Sequence, residues 1–435
     1  MIRLLYNLFW PIGLLFFLPG YLVKMIRRGG YREKFAQRLG IYDRAVRGRL
    51  SKQPSTWLHA VSVGEVNVAL KLASALCALE PDLRCVLTTT TTTGFGLARK
   101  NAPPWIEVMY TPLDYCPIIR RAFSVIRPFR VILVEAETWP NLVAEAHARR
   151  IPLALVNARL SPHSERRYLQ FRFFIAPTFR LLDLVCVPER EDTSRWAALG
   201  VSRNRIRVTG NIKYDPSVQR ESQAVAASAW DAWPVEAPQH PVLFGGSTHR
   251  GEEKILATIF LRLRQQFPSL RLFIAPRHVE RLREIRAQLE SLGLRVALAS
   301  EACAGRESNN TDCMVLDTTG ELQRWYGIAT VVFIGKSLTA HGGQNPVEPI
   351  LAGKAVVFGP HMENFATLAK ALLSKNGAVQ VRDVDSLEHA LAQLLRDSEA
   401  RQRLVQNACD VLSTHQGATA RTAALIHELH LDDEL

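Results

Sequence analysis

Trp57-Leu58-His59-Ala60-Val61-Ser62-Val63-Gly64-Glu65 is the stretch on which the reading of this chain turns. It opens as an apolar run that reads as a buried strand. A tight Ser/Gly turn follows, and a carboxylate then lands on the first turn of an amphipathic helix, Val66 to Leu79. A strand that feeds a helix through a small-residue turn is the unit from which open α/β sheets build ligand sites, where strand ends meet helix N-termini. On that reading Glu65 points into a site. Ser62-x-x-Glu65 is equally a capping box, in which serine and glutamate satisfy each other's orphan backbone donors. The stretch alone leaves cap and catalyst both open.

Working outward, the same unit repeats. Arg84 to Thr89, Arg130 to Glu135, Leu153 to Val156, Leu182 to Val187 and Ile206 to Val208 read as strands, and the threonine run Thr88 to Thr93 meets Gly94 and a helix. The stretch Gln219 to Gln239, rich in Ala, Ser and Pro, breaks the rhythm and marks a hinge, with a helix near Glu221 to Trp230. The pattern then restarts with strands at Val242 to Phe244, Arg271 to Ile274, Arg295 to Ala297, Met314 to Asp317, Val331 to Ile334 and Ala355 to Phe358. Helices are expected at Glu253 to Gln266, Val279 to Leu292 and Leu387 to Leu395. Two successive alternating sets imply an α/β protein with two parallel-sheet domains facing a cleft.

The chain has 435 residues, too long for one ordinary core, and its 47% apolar and 22% charged residues exclude wholesale disorder and a polytopic membrane protein. The net charge of +13 favours an anionic partner. Nucleic-acid signatures are absent, so nucleic acid is not expected. From Leu4 to Val23 no side chain is charged, about the length of a hydrocarbon core, and Lys24, Arg27, Arg28, Arg32, Lys34 and Arg38 follow. If the segment spans, that flank puts the body of the chain on the cytoplasmic side, against an anionic leaflet. Pro11 and Pro19 leave a monotopic anchor as open as a spanning one. The expected layout is an anchor over 1–25, a basic connector over 26–54, domains over 55–215 and 241–435, and a linker over 216–240. Seven scattered cysteines without a C-x-x-C pair read as free thiols of a reducing compartment.

Four loops of the second half are loaded with polar groups at strand ends. Gly245-Gly246-Ser247-Thr248-His249-Arg250-Gly251-Glu252-Glu253 offers donors where a helix dipole favours an anion, or else is a plain helix cap. Arg277 and His278 after Ala275-Pro276 suit a phosphate or carboxylate, or simply begin a solvated helix. Gly335-Lys336-Ser337 and Gly342-Gly343-Gln344-Asn345-Pro346-Val347-Glu348-Pro349 combine glycine with proline-bracketed Asn345 and Glu348, a rigidity suited to binding. Gly359-Pro360-His361-Met362-Glu363-Asn364-Phe365 is the fourth. Together they describe a nucleotide pocket at the carboxyl edge of a parallel sheet. In the first half, Glu135-Ala136-Glu137 places two carboxylates at a strand end, so that one has a raised pKa or both face a wet cleft. Asn157, Arg159 and Ser161 add polar groups after the next strand. The spacing of His, Cys and acidic residues suggests no metal site and no cofactor.

HAVSVGE, EAETWPN, GNIKYD (Gly210 to Asp215), GGSTHRGEE, APRH, GGQNPVEP and GPHMENF, in that order behind an apolar N-terminus, resemble the bacterial 3-deoxy-D-manno-oct-2-ulosonic acid (Kdo) transferases nearly end to end. Gln344 stands where that family more often has histidine. The resemblance implies a glycosyltransferase of GT-B type, with two Rossmann-like domains. It implies transfer of Kdo from CMP-Kdo to a tetraacylated lipid A precursor, with inversion and without metal. In that family the glutamate of HAVSVGE is the general base, here Glu65. Glu137 would serve the acceptor side or support the base. Ser247, Thr248 and Arg277 would take the departing phosphate, with His278 and Gly343 beside the donor. Asn345 and Glu348 would grip the nucleotide, Glu348 at the ribose. Arg27, Arg28 and Arg32 would meet the lipid's phosphates. The competing readings are a membrane-surface GT-B transferase using a UDP-sugar, and a non-catalytic anionic-lipid-binding protein.

Overall fold

A computed structural model describes residues 3, 5–10, 34–136, 138–215, 240–303, 311–318 and 322–431. The chain divides into two compact units, residues 1–215 with 415–435, and residues 216–414. The sequence pattern alone suggests a second domain that runs to residue 435. The last helix, Ala418–Leu431, belongs instead with the first unit.

The first unit is a seven-stranded sheet of β1 (Ser55–His59), β2 (Cys85–Thr89), β3 (Ile106–Tyr110), β4 (Pro128–Val134), β5 (Leu153–Val156), β6 (Leu184–Val187) and β7 (Ile206–Val208), in the order β3-β2-β1-β4-β5-β6-β7. Every pairing is parallel. Both faces are covered, which is why these strands read as unbroken apolar runs. Trp57, Val131, Leu133 and Leu155 pack on one face with Phe123. Leu58, Ile132, Val134 and Val156 pack on the other with Leu72 of the helix Val63–Leu79 and with Ala423 and Ile426 of the C-terminal helix. At β3, which the sequence reading missed, Tyr110 N–H donates to Gln37 Oε1 at 2.9 Å and Glu107 pairs with Arg49 at 2.8 Å. A short edge strand with a charge in the middle lacks the apolar run that marks its neighbours.

The second unit repeats the plan with β8 (Val242–Thr248), β9 (Arg271–Pro276), β10 (Val296–Leu298), β11 (Cys313–Val315), β12 (Val331–Ile334), β13 (Ala355–Phe358) and β14 (Val379–Gln380), in the order β10-β11-β9-β8-β12-β13-β14. It too is parallel throughout. In each sheet the strand order reverses at the first strand, between β1 and β4 and between β8 and β12. Loops leaving the carboxyl ends of such a pair diverge to opposite faces and open a crevice.

Residues 5–10 are helical and dock on the first unit. Asn7 Nδ2 donates to Asn141 Oδ1 at 2.8 Å, Asn7 Oδ1 accepts from Cys116 N–H at 3.1 Å, and Trp10 stacks on Tyr115 at 5.0 Å. Leu8 and Phe9 face outward. No helix among the described residues is long and apolar enough to cross a membrane. The rest of the expected anchor, Arg27, Arg28 and Arg32 of the connector, and the hinge helix near Glu221 to Trp230 lie outside the described residues.

Candidate active site

Ser62 caps the helix Val63–Leu79, and Glu65 occupies its first turn. The arrangement departs from a reciprocal capping box. The Glu65 carboxylate accepts from the Ser62 hydroxyl at 2.7 Å and from Val61 N–H at 2.8 Å, one residue ahead of the cap. The return bond from Glu65 N–H to Ser62 Oγ is long, at 3.4 Å. Val61 is itself braced, its carbonyl accepting from Thr91 Oγ1 at 3.1 Å, Thr89 Oγ1 at 3.2 Å and Thr91 N–H at 3.3 Å. The threonine run after β2 therefore fixes the turn that holds Glu65. Burial pushes the Glu65 carboxyl above its ordinary range, while the Ser62 hydroxyl and Val61 N–H pull it back.

Two further charges act on Glu65. At the end of β4 the backbone of Glu135 turns into the left-handed region, with φ of 62°. Its carboxylate forms an ion pair with Lys213 Nζ. Lys213 lies against the start of the Glu65 helix, since a Cβ at Gly64 would stand 3.5 Å from its ammonium. Glu135 raises the Glu65 pKa and Lys213 lowers it. Nothing in the GNIKYD stretch itself marks Lys213 for this place, and Glu137, the other carboxylate expected here, lies outside the described residues.

Beneath this cluster His59, at the end of β1, is fully buried. The Trp139 indole N–H donates to its Nε2 at 3.1 Å. An indole nitrogen is a donor only, so Nε2 carries the lone pair and the proton sits on Nδ1, 3.1 Å from Thr88 Oγ1. Burial lowers the His59 pKa to about 4. A neutral His59 thus pins Trp139 at the foot of the helix Pro140–Ala148, next to the Glu135 turn.

In the second unit, Ser247 and Thr248 do not begin a helix. They end β8 with a bulge, Ser247 has φ of 52°, and the following helix, Glu252–Leu263, starts after Gly251. Thr248 is buried, and its hydroxyl donates to Glu253 Oε1 at 3.2 Å. The decisive carboxylate of this loop is Glu252. It is fully buried and accepts from His249 N–H and Lys336 N–H, both at 2.8 Å, and from Ser337 N–H and Leu338 N–H, both at 3.2 Å. One side chain thereby ties the loop after β8 to the loop after β12. The approach of these loops is close enough that a Cβ at Gly335 would collide with the Ser247 carbonyl oxygen.

The cations gather here. Arg277 and His278 are exposed after β9. His249 has a pKa lowered to about 4, first by burial and then by the positive field of His278, Lys336, Arg277 and Arg281. His249 faces His278 edge-on at 5.3 Å and approaches Gln344 Nε2 at 3.4 Å. Positive charge at the carboxyl end of a central strand pair is suited to a phosphate. On the far side of Gln344, Asn345 Oδ1 accepts from Val347 N–H and Asn345 Nδ2 donates to Glu348 Oε1, both at 3.0 Å. Asn345 thus sets the rotamer of Glu348. Gly343, with φ of 68°, lets the loop lie against Met362 and His361. Arg277, His278, Gly343, Asn345, Glu348, Ser247 and Thr248 all fall within the second unit, and so do His249, Lys336 and Glu252, to which the sequence alone assigns no role.

Two doubly wound parallel sheets, each with polar loops at its switch point, are the architecture of GT-B enzymes. The fold is similar to that of UDP-GlcNAc 2-epimerase from Neisseria meningitidis bound to UDP-GlcNAc, with a TM-score of 0.60 and 12% identity, covering 87% of this chain and 100% of that one. The sequence model of the 3-deoxy-D-manno-octulosonic-acid transferase (kdotransferase) family matches residues 33–216. The 3-deoxy-D-manno-octulosonic acid transferase of Haemophilus influenzae is 32% identical over 399 residues, 91% of each chain. That of Bordetella pertussis is 33% identical over 407 residues, 91% of this chain and 92% of the other. The fold and these relatives define a glycosyltransferase. Within that class the chain belongs to the 3-deoxy-D-manno-octulosonic acid transferase family.

Proposed function

We propose that the protein transfers Kdo from CMP-Kdo to the tetraacylated lipid A precursor at the cytoplasmic face of the inner membrane, with inversion and without a metal ion. The observation that carries the reading is the hold on Glu65. Its carboxylate is buried, fixed by Val61 N–H and the Ser62 hydroxyl, and set at the switch point of the first sheet. In the proposed step Glu65 takes the proton of the acceptor hydroxyl as its oxygen bonds to the anomeric carbon. The bond from that carbon to the CMP phosphate oxygen breaks, and its electron pair leaves with CMP. Partial desolvation raises the basicity of a carboxylate, which makes it a better proton acceptor. Arg277 and Lys336 supply the field that stabilises the departing phosphate. Asn345 and Glu348 are assigned to the nucleotide, and Glu137 to the acceptor side. The uncharged stretch 4–23, the exposed Leu8 and Phe9, and Arg27, Arg28 and Arg32 support attachment to an anionic leaflet.

The test is transfer in vitro from CMP-Kdo to the lipid A precursor, with and without EDTA. Glu65→Gln should lower kcat roughly 10²- to 10⁴-fold while far-UV circular dichroism stays unchanged. Full transfer by that variant overturns the base assignment. Thermal protection by UDP and none by CMP overturns the donor.

A further inference from the structure

We propose a divalent transition-metal site made by His341, His361 and Glu363, on the loops after β12 and β13 that also carry the donor-side Gly343. His341 Nδ1 lies 3.0 Å from Glu363 Oε1, and His361 Nδ1 lies 3.4 Å from the same oxygen. The ligand atoms of all three residues fall within 4.8 Å of one another. Metal–ligand bonds of about 2.0–2.1 Å in a tetrahedron put ligand atoms about 3.3 Å apart. The two His–Glu separations lie on either side of that value, close to the spacing that two ligands of one cation need. Two imidazole nitrogens and one carboxylate oxygen form a borderline donor set that suits Zn²⁺, Ni²⁺ or Co²⁺ and not Mg²⁺ or Ca²⁺.

The frame around the three ligands is tied. Glu363 Oε2 accepts from Gly342 N–H at 2.6 Å, which orients the carboxylate and leaves Oε1 toward the histidines. The loop after β12 and the loop after β13 are laced by Asn364 N–H to Gly342 O at 2.9 Å and His361 N–H to Ser337 O at 3.0 Å. The two imidazoles lie 3.9 Å apart between ring centroids. Three protein ligands at an exposed position leave a fourth coordination place to water or to an anionic group. The cation has no part in the proposed transfer step, and its binding is read without any activity.

The experiment uses the full chain, stripped with chelator, and Zn²⁺ and Ni²⁺ each titrated against a chromophoric competitor. One tight site per chain is expected, weakened at least tenfold by His341→Ala, by His361→Ala and by Glu363→Gln, with circular dichroism unchanged. X-ray absorption of the zinc-loaded protein should show two imidazoles in the coordination sphere. Equal affinity in wild type and all three variants overturns the proposal, as does binding of Mg²⁺ in competition with Zn²⁺.

Discussion

Lys213 and Glu135, 78 residues apart in sequence, form an ion pair beside the Glu65 carboxylate. The two partners push the Glu65 proton affinity in opposite directions. Lys213→Met removes a cation that favours the ionised form and frees the Glu135 charge, so the acid limb of the kcat/KM profile should move to higher pH. Glu135→Gln removes an anion and should move it to lower pH. Shifts in the same direction from both variants would refute this electrostatic account.

Glu252 holds two loops through four backbone donors. Glu252→Gln turns part of that acceptor into a donor facing donors, which costs about 1–3 kcal/mol per unsatisfied buried group. Urea unfolding should show that loss, and nucleotide affinity should fall because Lys336 loses its anchor. Unchanged affinity would confine Glu252 to stability.

His59 makes stability depend on pH. The unfolded side chain titrates near 6.5 and the folded one at about 4. Above pH 6.5 neither state is protonated and the neutral His59 network is intact. As pH falls from 6.5 toward 4 the unfolded state gains a proton that the folded state refuses, and stability is lost. Between pH 7 and 5 the loss is about 2 kcal/mol. Denaturation at the two pH values should show it, and His59→Gln should remove that component.

Thr91 donates to Val61 O and caps the helix Thr92–Asn101 by accepting from Gly94 N–H at 3.1 Å. Thr91→Val should cost about 1–2 kcal/mol, and it should lower kcat because the Glu65 turn loosens. A variant with full kcat and reduced stability would separate the cap from the site.

Much of the architecture was readable because buried parallel strands are written as apolar runs. Leu153–Val156, Ile206–Val208, Val331–Ile334 and Ala355–Phe358 have the bounds that the sequence suggested. β3, interrupted by Glu107, and the two-residue β14 lack such a run and were missed. Glu65 was legible because cap chemistry is local. Lys213, Glu252 and the pair His341 with Glu363 were not, since each meets its partner from a distant loop. His341 and Glu363 are 22 residues apart and meet only because the fold brings their two loops together. Ser247 and Thr248 were placed on the helix because small polar residues usually cap, but the strand continues through them by a bulge.

The C-terminal helix Ala418–Leu431 completes a core begun at Leu58, and Asp215 is bonded to Gly417 N–H at 3.0 Å and Thr419 N–H at 2.7 Å. On the ribosome this reverses the usual order of events. The second unit emerges whole while the first, though made earlier, still lacks one wall of its core. Its sheet stays unfinished until residues 418–431 are made, some two hundred residues after Asp215, which takes tens of seconds at about 5–20 residues per second.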